Sequence, residues 1–188
     1  MAQIRTDGQW QGDIVTLLTN ALTMATEFKA DFNASLTKLD NDGTIVATNF
    51  SSTWAISATV PSIGNVRKDG IHQGELFSLL SDLATFAAAC KTAMDGLQAK
   101  LDADATVNTT TYASGNPTIA APATTGMSSL GMDWNLQFTF LSTVVAFFNN
   151  IKTGYNAVLT KLDSDTGVAD VNYNSTNATS TADLSLTV

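Results

Sequence analysis

Leu36-Thr37-Lys38-Leu39-Asp40-Asn41-Asp42, followed by Ile45 and Phe50, is one of three copies of a single pattern. The second is Leu97-Gln98-Ala99-Lys100-Leu101-Asp102-Ala103-Asp104, followed by Val107 and Tyr112. The third is Leu159-Thr160-Lys161-Leu162-Asp163-Ser164-Asp165, followed by Val168 and Tyr173. Each places K-L-D-x-D before a β-branched residue and an aromatic. The motif lysines, Lys38, Lys100 and Lys161, recur at an almost constant interval. A pattern that returns at a fixed period is the mark of a repeat architecture.

The match extends upstream. Arg5-x-Asp7-Gly8-x-x-Gln11-Gly12 returns one period later as Arg67-x-Asp69-Gly70-x-x-Gln73-Gly74. The third copy keeps only Gly131, with Asp133-Trp134 after it, and a further lysine recurs as Lys29, Lys91 and Lys152. These positions divide one domain, 1–188, into repeats 5–66, 67–127 and 128–188.

The first half of each repeat has helical periodicity. Ile14, Leu17, Leu18, Ala21, Met24, Ala25, Phe28, Phe32 and Leu39 fall at steps of three and four. Leu76, Leu79, Leu80, Leu83, Phe86, Ala87, Cys90, Met94, Leu97 and Leu101 do the same, as do Phe140, Leu141, Val144, Phe147, Phe148, Ile151, Tyr155, Val158 and Leu162. Such stripes predict three amphipathic helices of about 25 residues. Their width suits a bundle better than a two-stranded seam. Connections of about 35 residues are long enough to return the length of a helix, so the expected arrangement is parallel and pseudo-threefold. A solenoid-like stack is the alternative.

The second halves are rich in Thr, Ser, Asn and Ala, with partial alternation in Ile45–Phe50, Trp54–Val60 and Thr181–Val188. Pro61, Pro117 and Pro122 all fall there. They read as short strands or extended arms that need the bundle or a neighbour to satisfy their backbone. The expected class is therefore mainly α with extended/β arms.

Composition removes several functions. Charged residues make up 14%, against about 25% in an ordinary soluble domain. The net charge is −8 and no cations cluster, which argues against nucleic acid as a partner. A single cysteine, Cys90, excludes an internal disulfide or multi-cysteine zinc site, and a single histidine, His72, excludes a two-imidazole site. Met1-Ala2-Gln3-Ile4-Arg5 shows no signal-peptide core. Leu136–Ile151, broken by Gln137, Asn149 and Asn150, is too short and polar to span a membrane.

No residue set has the spacing of a catalytic site. His72 stands in a glycine-flanked turn, Cys90 occupies an apolar helix position, and neither has a partner for nucleophilic chemistry. Lys29, Lys91 and Lys152 flank the stripes and are expected to lay their stems along them with the ammonium in water. Gly8, Gly12, Gly70 and Gly74 follow no strand and read as turn and helix-start glycines rather than a phosphate cradle. The weak metal candidates are the pairs Asp40/Asp42, Asp102/Asp104 and Asp163/Asp165. Asp40-Asn41-Asp42-Gly43 matches the start of a calcium loop, but Ile45 replaces its glycine and Ser51 its closing glutamate. These acids are better read as turn residues ending a helix, with a lysine suited to its negative end. No cofactor is expected.

A helix ending in K-L-D-x-D, then a β-branched residue and N-Y or N-F, resembles a short module of tailed-bacteriophage structural proteins. Lys161 to Tyr173 carries it most fully; the first copy has Gly43 one place early and the second lacks the glycine. The resemblance covers about a dozen residues per repeat. It implies a non-enzymatic virion protein, a capsid decoration (cement) or accessory head protein, with a tail, neck or fibre component and a calcium-dependent adhesion module as alternatives. The implied partners are other virion proteins, major capsid or tail proteins, with no nucleic acid and no membrane; self-association stays open.

Overall fold

The computed structural model describes residues 7–63, 73–108, 111–113, 120–127 and 134–186. It is mainly helical, and its described residues include no strand. Three long helices, α1 (Asp7–Asn41), α3 (Gln73–Asp102) and α4 (Trp134–Ser164), are accompanied by two short ones, α2 (Phe50–Trp54) after α1 and α5 (Tyr173–Asn177) after α4. α4 packs against α1 and α3; α2 lies against α1 and α3, and α5 against α4 and α1.

The apolar stripes form one core. Every stripe residue named above is buried, joined by Leu36, Leu159 and the β-branched Ile45, Val107 and Val168. Phe28 meets the edge of Tyr155 at 5.4 Å, and Phe32 lies 5.7 Å from the same ring. Each buried ring contributes about 1.5–3 kcal/mol by leaving water. Cys90 is fully buried, and burial pushes its thiol well above the ordinary range, as a small core residue requires. By length and composition Gly74–Asp102 could cross a membrane, but here its apolar side chains line the core.

The helices are longer than expected, at 35, 30 and 31 residues. The extension is N-terminal. Gly8 and Gly12 lie inside α1, and Gly74 lies in the first turn of α3. Gly70, Gly131 and His72 lie outside the described residues.

The expected strands correct to short helices and irregular chain. The backbone there pairs with helix side chains rather than with another strand. Asn33 accepts from the Ile56 amide at 2.8 Å and donates to the Ile56 carbonyl at 3.2 Å. Asn156 does the same for Thr179, at 3.1 and 3.0 Å, and Asn149 for Leu184, at 2.8 and 2.9 Å. A carboxamide carries both donor and acceptor, so one side chain satisfies a whole peptide edge. As the chain advances its partners step back along the helix: Phe50 at Asp40, Ile56 at Asn33, Ala58 at Lys29.

Candidate functional site

The K-L-D-x-D motifs end α1, α3 and α4, and side-chain contacts tie these ends together. The first aspartate of each reaches forward within its own segment. Asp40 accepts the amides of Phe50 and Ser51 at 2.6 and 2.9 Å. Asp102 accepts those of Tyr112 and Ala113 at 2.6 and 3.1 Å, and Asp163 those of Tyr173 and Asn174 at 2.6 and 3.0 Å. Asp40 and Asp163 thereby satisfy orphan amides that begin α2 and α5, a capping role played from a distance along the chain. Asn49, at φ 68°, turns the chain into α2, a left-handed conformation that asparagine tolerates.

The second aspartate closes a local turn and holds a different segment. Asp104 takes the Thr106 amide at 2.9 Å and the Ala47 amide at 2.6 Å. Asp165 takes the Gly167 amide at 2.8 Å, the Asn108 amide at 3.1 Å and the Tyr112 hydroxyl at 3.2 Å. Asp42 takes the Thr44 and Asp170 amides, both at 3.0 Å. Gly167 is required by this packing, because a Cβ there would lie 1.8 Å from the Thr106 carbonyl oxygen.

The motif lysines follow the same order. Lys100 stands 4.2 Å above the Phe50 ring and donates to the Thr48 carbonyl. Lys161 stands 5.8 Å above Tyr112 and donates to the Thr111 carbonyl at 2.5 Å. Lys38 stands 4.3 Å above Tyr173 and pairs with Asp170 at 3.1 Å. The sequence suggests that these lysines answer their own helix ends; each in fact covers the aromatic of another segment. All three rings are fully buried.

Electrostatics fit this role. Burial pulls Asp40, Asp42 and Asp104 upward, but the hydrogen bonds they accept outweigh it and hold all three below the usual carboxylate range. Burial, followed by the nearby charges of Asp42, Asp170 and Asp163, pushes the Tyr173 phenol up. As for the metal candidates, each of the six carboxylates accepts at least one backbone N–H. Among the described residues no three His, Cys, Asp or Glu side chains are placed to hold a metal ion.

The second lysine series departs from expectation. Lys29 donates to the Ala58 carbonyl at 2.7 Å and Lys152 to the Thr181 carbonyl at 2.9 Å, with Asp183 as a second partner for Lys152. Lys91 instead pairs with Asp95, one turn further along its own helix. Sequence periodicity does not show that a returning chain crosses the lysines.

An open pocket of about 630 Å³ lies where α1 ends, lined by Lys38, Asp42, Asp170 and Val171 among others. Val171 is 59% exposed and Val46 68%. Comparison of the chain with protein-family models, with curated proteins and with solved structures finds no match.

Proposed function

We propose that the chain is a non-enzymatic structural protein of a tailed-phage virion, a capsid decoration or accessory head protein. We further propose that it is built as three tandem helix-plus-arm units about a pseudo-threefold axis. The observation that carries this reading is the use of charge at the K-L-D-x-D end. Lys38, Lys100 and Lys161, with all six motif aspartates, hold the chain to itself. Their contacts pass from the first segment to the second, the second to the third and the third back to the first. The motif charges are thus taken up by contacts within the chain, while Val46 and Val171 are large apolar side chains left exposed. On this reading Val46 and Val171 are the apolar side chains that a neighbouring virion protein covers.

The resemblance of Lys161–Tyr173 to the phage module supplies the class of particle. Mass spectrometry of purified virions encoding the chain tests it, with a fixed copy number per particle as the expected result. Absence from the particle overturns the reading. Cryo-EM density on the tail or neck rather than the head moves it to the alternative.

A further inference from the structure

The contacts between α4 and α1 differ from the others in one respect. The chain runs from α1 into α3 and from α3 into α4, but nothing covalent joins α4 to α1. The segment after α5 crosses that seam. On the α4 side Asn156, Lys152 and Asn149 hold Thr179, Thr181 and Leu184. On the α1 side Glu27 accepts the Ser180 amide at 2.7 Å, the Ser180 hydroxyl at 2.6 Å and the Thr181 amide at 2.9 Å. Asp31 accepts the Thr179 hydroxyl at 3.2 Å.

We infer that residues 178–184 are a latch that shuts the α1/α4 seam from outside, and that Glu27 is its catch. The repeat offers no equivalent carboxylates to the chain after α2: Ala89 and Ala93 stand on α3 at the positions that Glu27 and Asp31 hold on α1. The carboxylates therefore sit on the seam that lacks a covalent bridge. Releasing the latch uncovers the Phe28, Phe32 and Tyr155 contact between α1 and α4, while Lys38 over Tyr173 and the Asp170 amide on Asp42 still tie the helix ends.

The catch is strongest while Glu27 is ionised, because protonation weakens both oxygens as acceptors and turns one of them into a donor. The charged groups around it are Asp31 one turn along α1, Lys152 from α4 and Asp183 from the latch. Burial raises Glu27, but the Ser180 and Thr181 bonds, with Lys152, bring it below its ordinary value. Asp31 is raised, by burial first and then by Glu27 beside it, despite its bond from Thr179. The two acids thus act in opposite senses: Glu27 holds the latch, and charge on Asp31 works against Glu27.

Amide protection factors from NMR hydrogen exchange on the full chain test this. In Glu27→Gln at pH 7, Ser180 and Thr181 are expected to lose protection at least about tenfold, while core amides of α1, α3 and α4 keep theirs. Asp31→Asn, which keeps the acceptor and removes the charge, is expected to raise it. The unsubstituted chain gives an independent measure. Its Ser180 and Thr181 protection should fall as pH drops below about 4, before the helices open. Unchanged protection in Glu27→Gln, or loss in step with all three helices in either experiment, overturns the latch. None of these outcomes bears on whether the chain belongs to a virion.

Discussion

The chain after α1 and the chain after α4 are laid down by the same device and fastened by different ones. Both begin with a capped aromatic, Phe50 on Asp40 and Tyr173 on Asp163. Both then meet a helix asparagine, at Ile56 and Thr179, and a lysine just beyond. They part at the neighbouring helix. The first lays Trp54 flat against α3 at Gly96, where a Cβ would come within 2.3 Å of the indole. The second offers Ser180 and Thr181 to the carboxylate of Glu27. At these two contacts one segment is fastened by shape and the other by charge, so the Gly96 contact should answer to volume and the Glu27 contact to pH.

The largest effects should come from breaking what the two share. Phe50→Ala and Tyr173→Ala each remove a fully buried ring under a lysine, and each should cost about 3–5 kcal/mol. Urea unfolding read by circular dichroism checks both. A small loss at one alone would mean that the two segments are not equivalent.

Next comes Gly96→Ala. The added methyl strikes the Trp54 ring, which should cost about 1–3 kcal/mol, against about 1 kcal/mol regained in helix propensity. Combined with Trp54→Ala the clash disappears, and the same substitution should then stabilise the chain. A double-mutant cycle that reads additive would show that the indole does not fasten this segment.

Asn33→Ala and Asn156→Ala should follow at about 1–2 kcal/mol each. Each removes two hydrogen bonds and leaves a peptide edge without its partner. Thermal melts compare them directly, and near-equal losses are expected because the clamp geometry is the same.

The long helices were legible because burial imposes a helical period and nothing else in these segments competes with it. From Ile14 to Leu162, the apolar residues at helical steps are the core. The motif residues were legible as a pattern but not as a mechanism. Lys38 and Tyr173 meet from the first and last repeats, and periodicity carries no information about a contact that distant. The segments read as strands had the Thr and Val of strands. What decides their conformation is the carboxamide beside them, Asn33 or Asn156, each of which sits on a helix and reads locally as a surface residue. Glu27 was missed for the same reason: the first and last segments meet there, and no repeat marks it.

The smallest effect, and the one that separates the two contacts most cleanly, is the dependence on pH. Glu27, Asp40, Asp42 and Asp104 all titrate below the ordinary value in the folded chain. Their stabilisation is complete above the unfolded carboxylate range of about 4 and is lost as pH falls through the lower folded values. Asp31 runs the other way, because its folded value is raised. Its contribution is complete below the unfolded value and is lost as pH rises through the folded one. Acidifying from pH 7 should therefore give a slight gain as Asp31 takes its proton, then a larger loss. Solvent screens these groups, so each is worth no more than about 1 kcal/mol, or about 2–4 °C in Tm for a chain of this size. Glu27→Gln should remove part of the acid loss, and Asp31→Asn the early gain. Gly96→Ala should shift the whole pH curve down without changing its form, since neither Gly96 nor Trp54 titrates. If Gly96→Ala bends the curve and Glu27→Gln only lowers it, the assignment of shape to one contact and charge to the other is reversed.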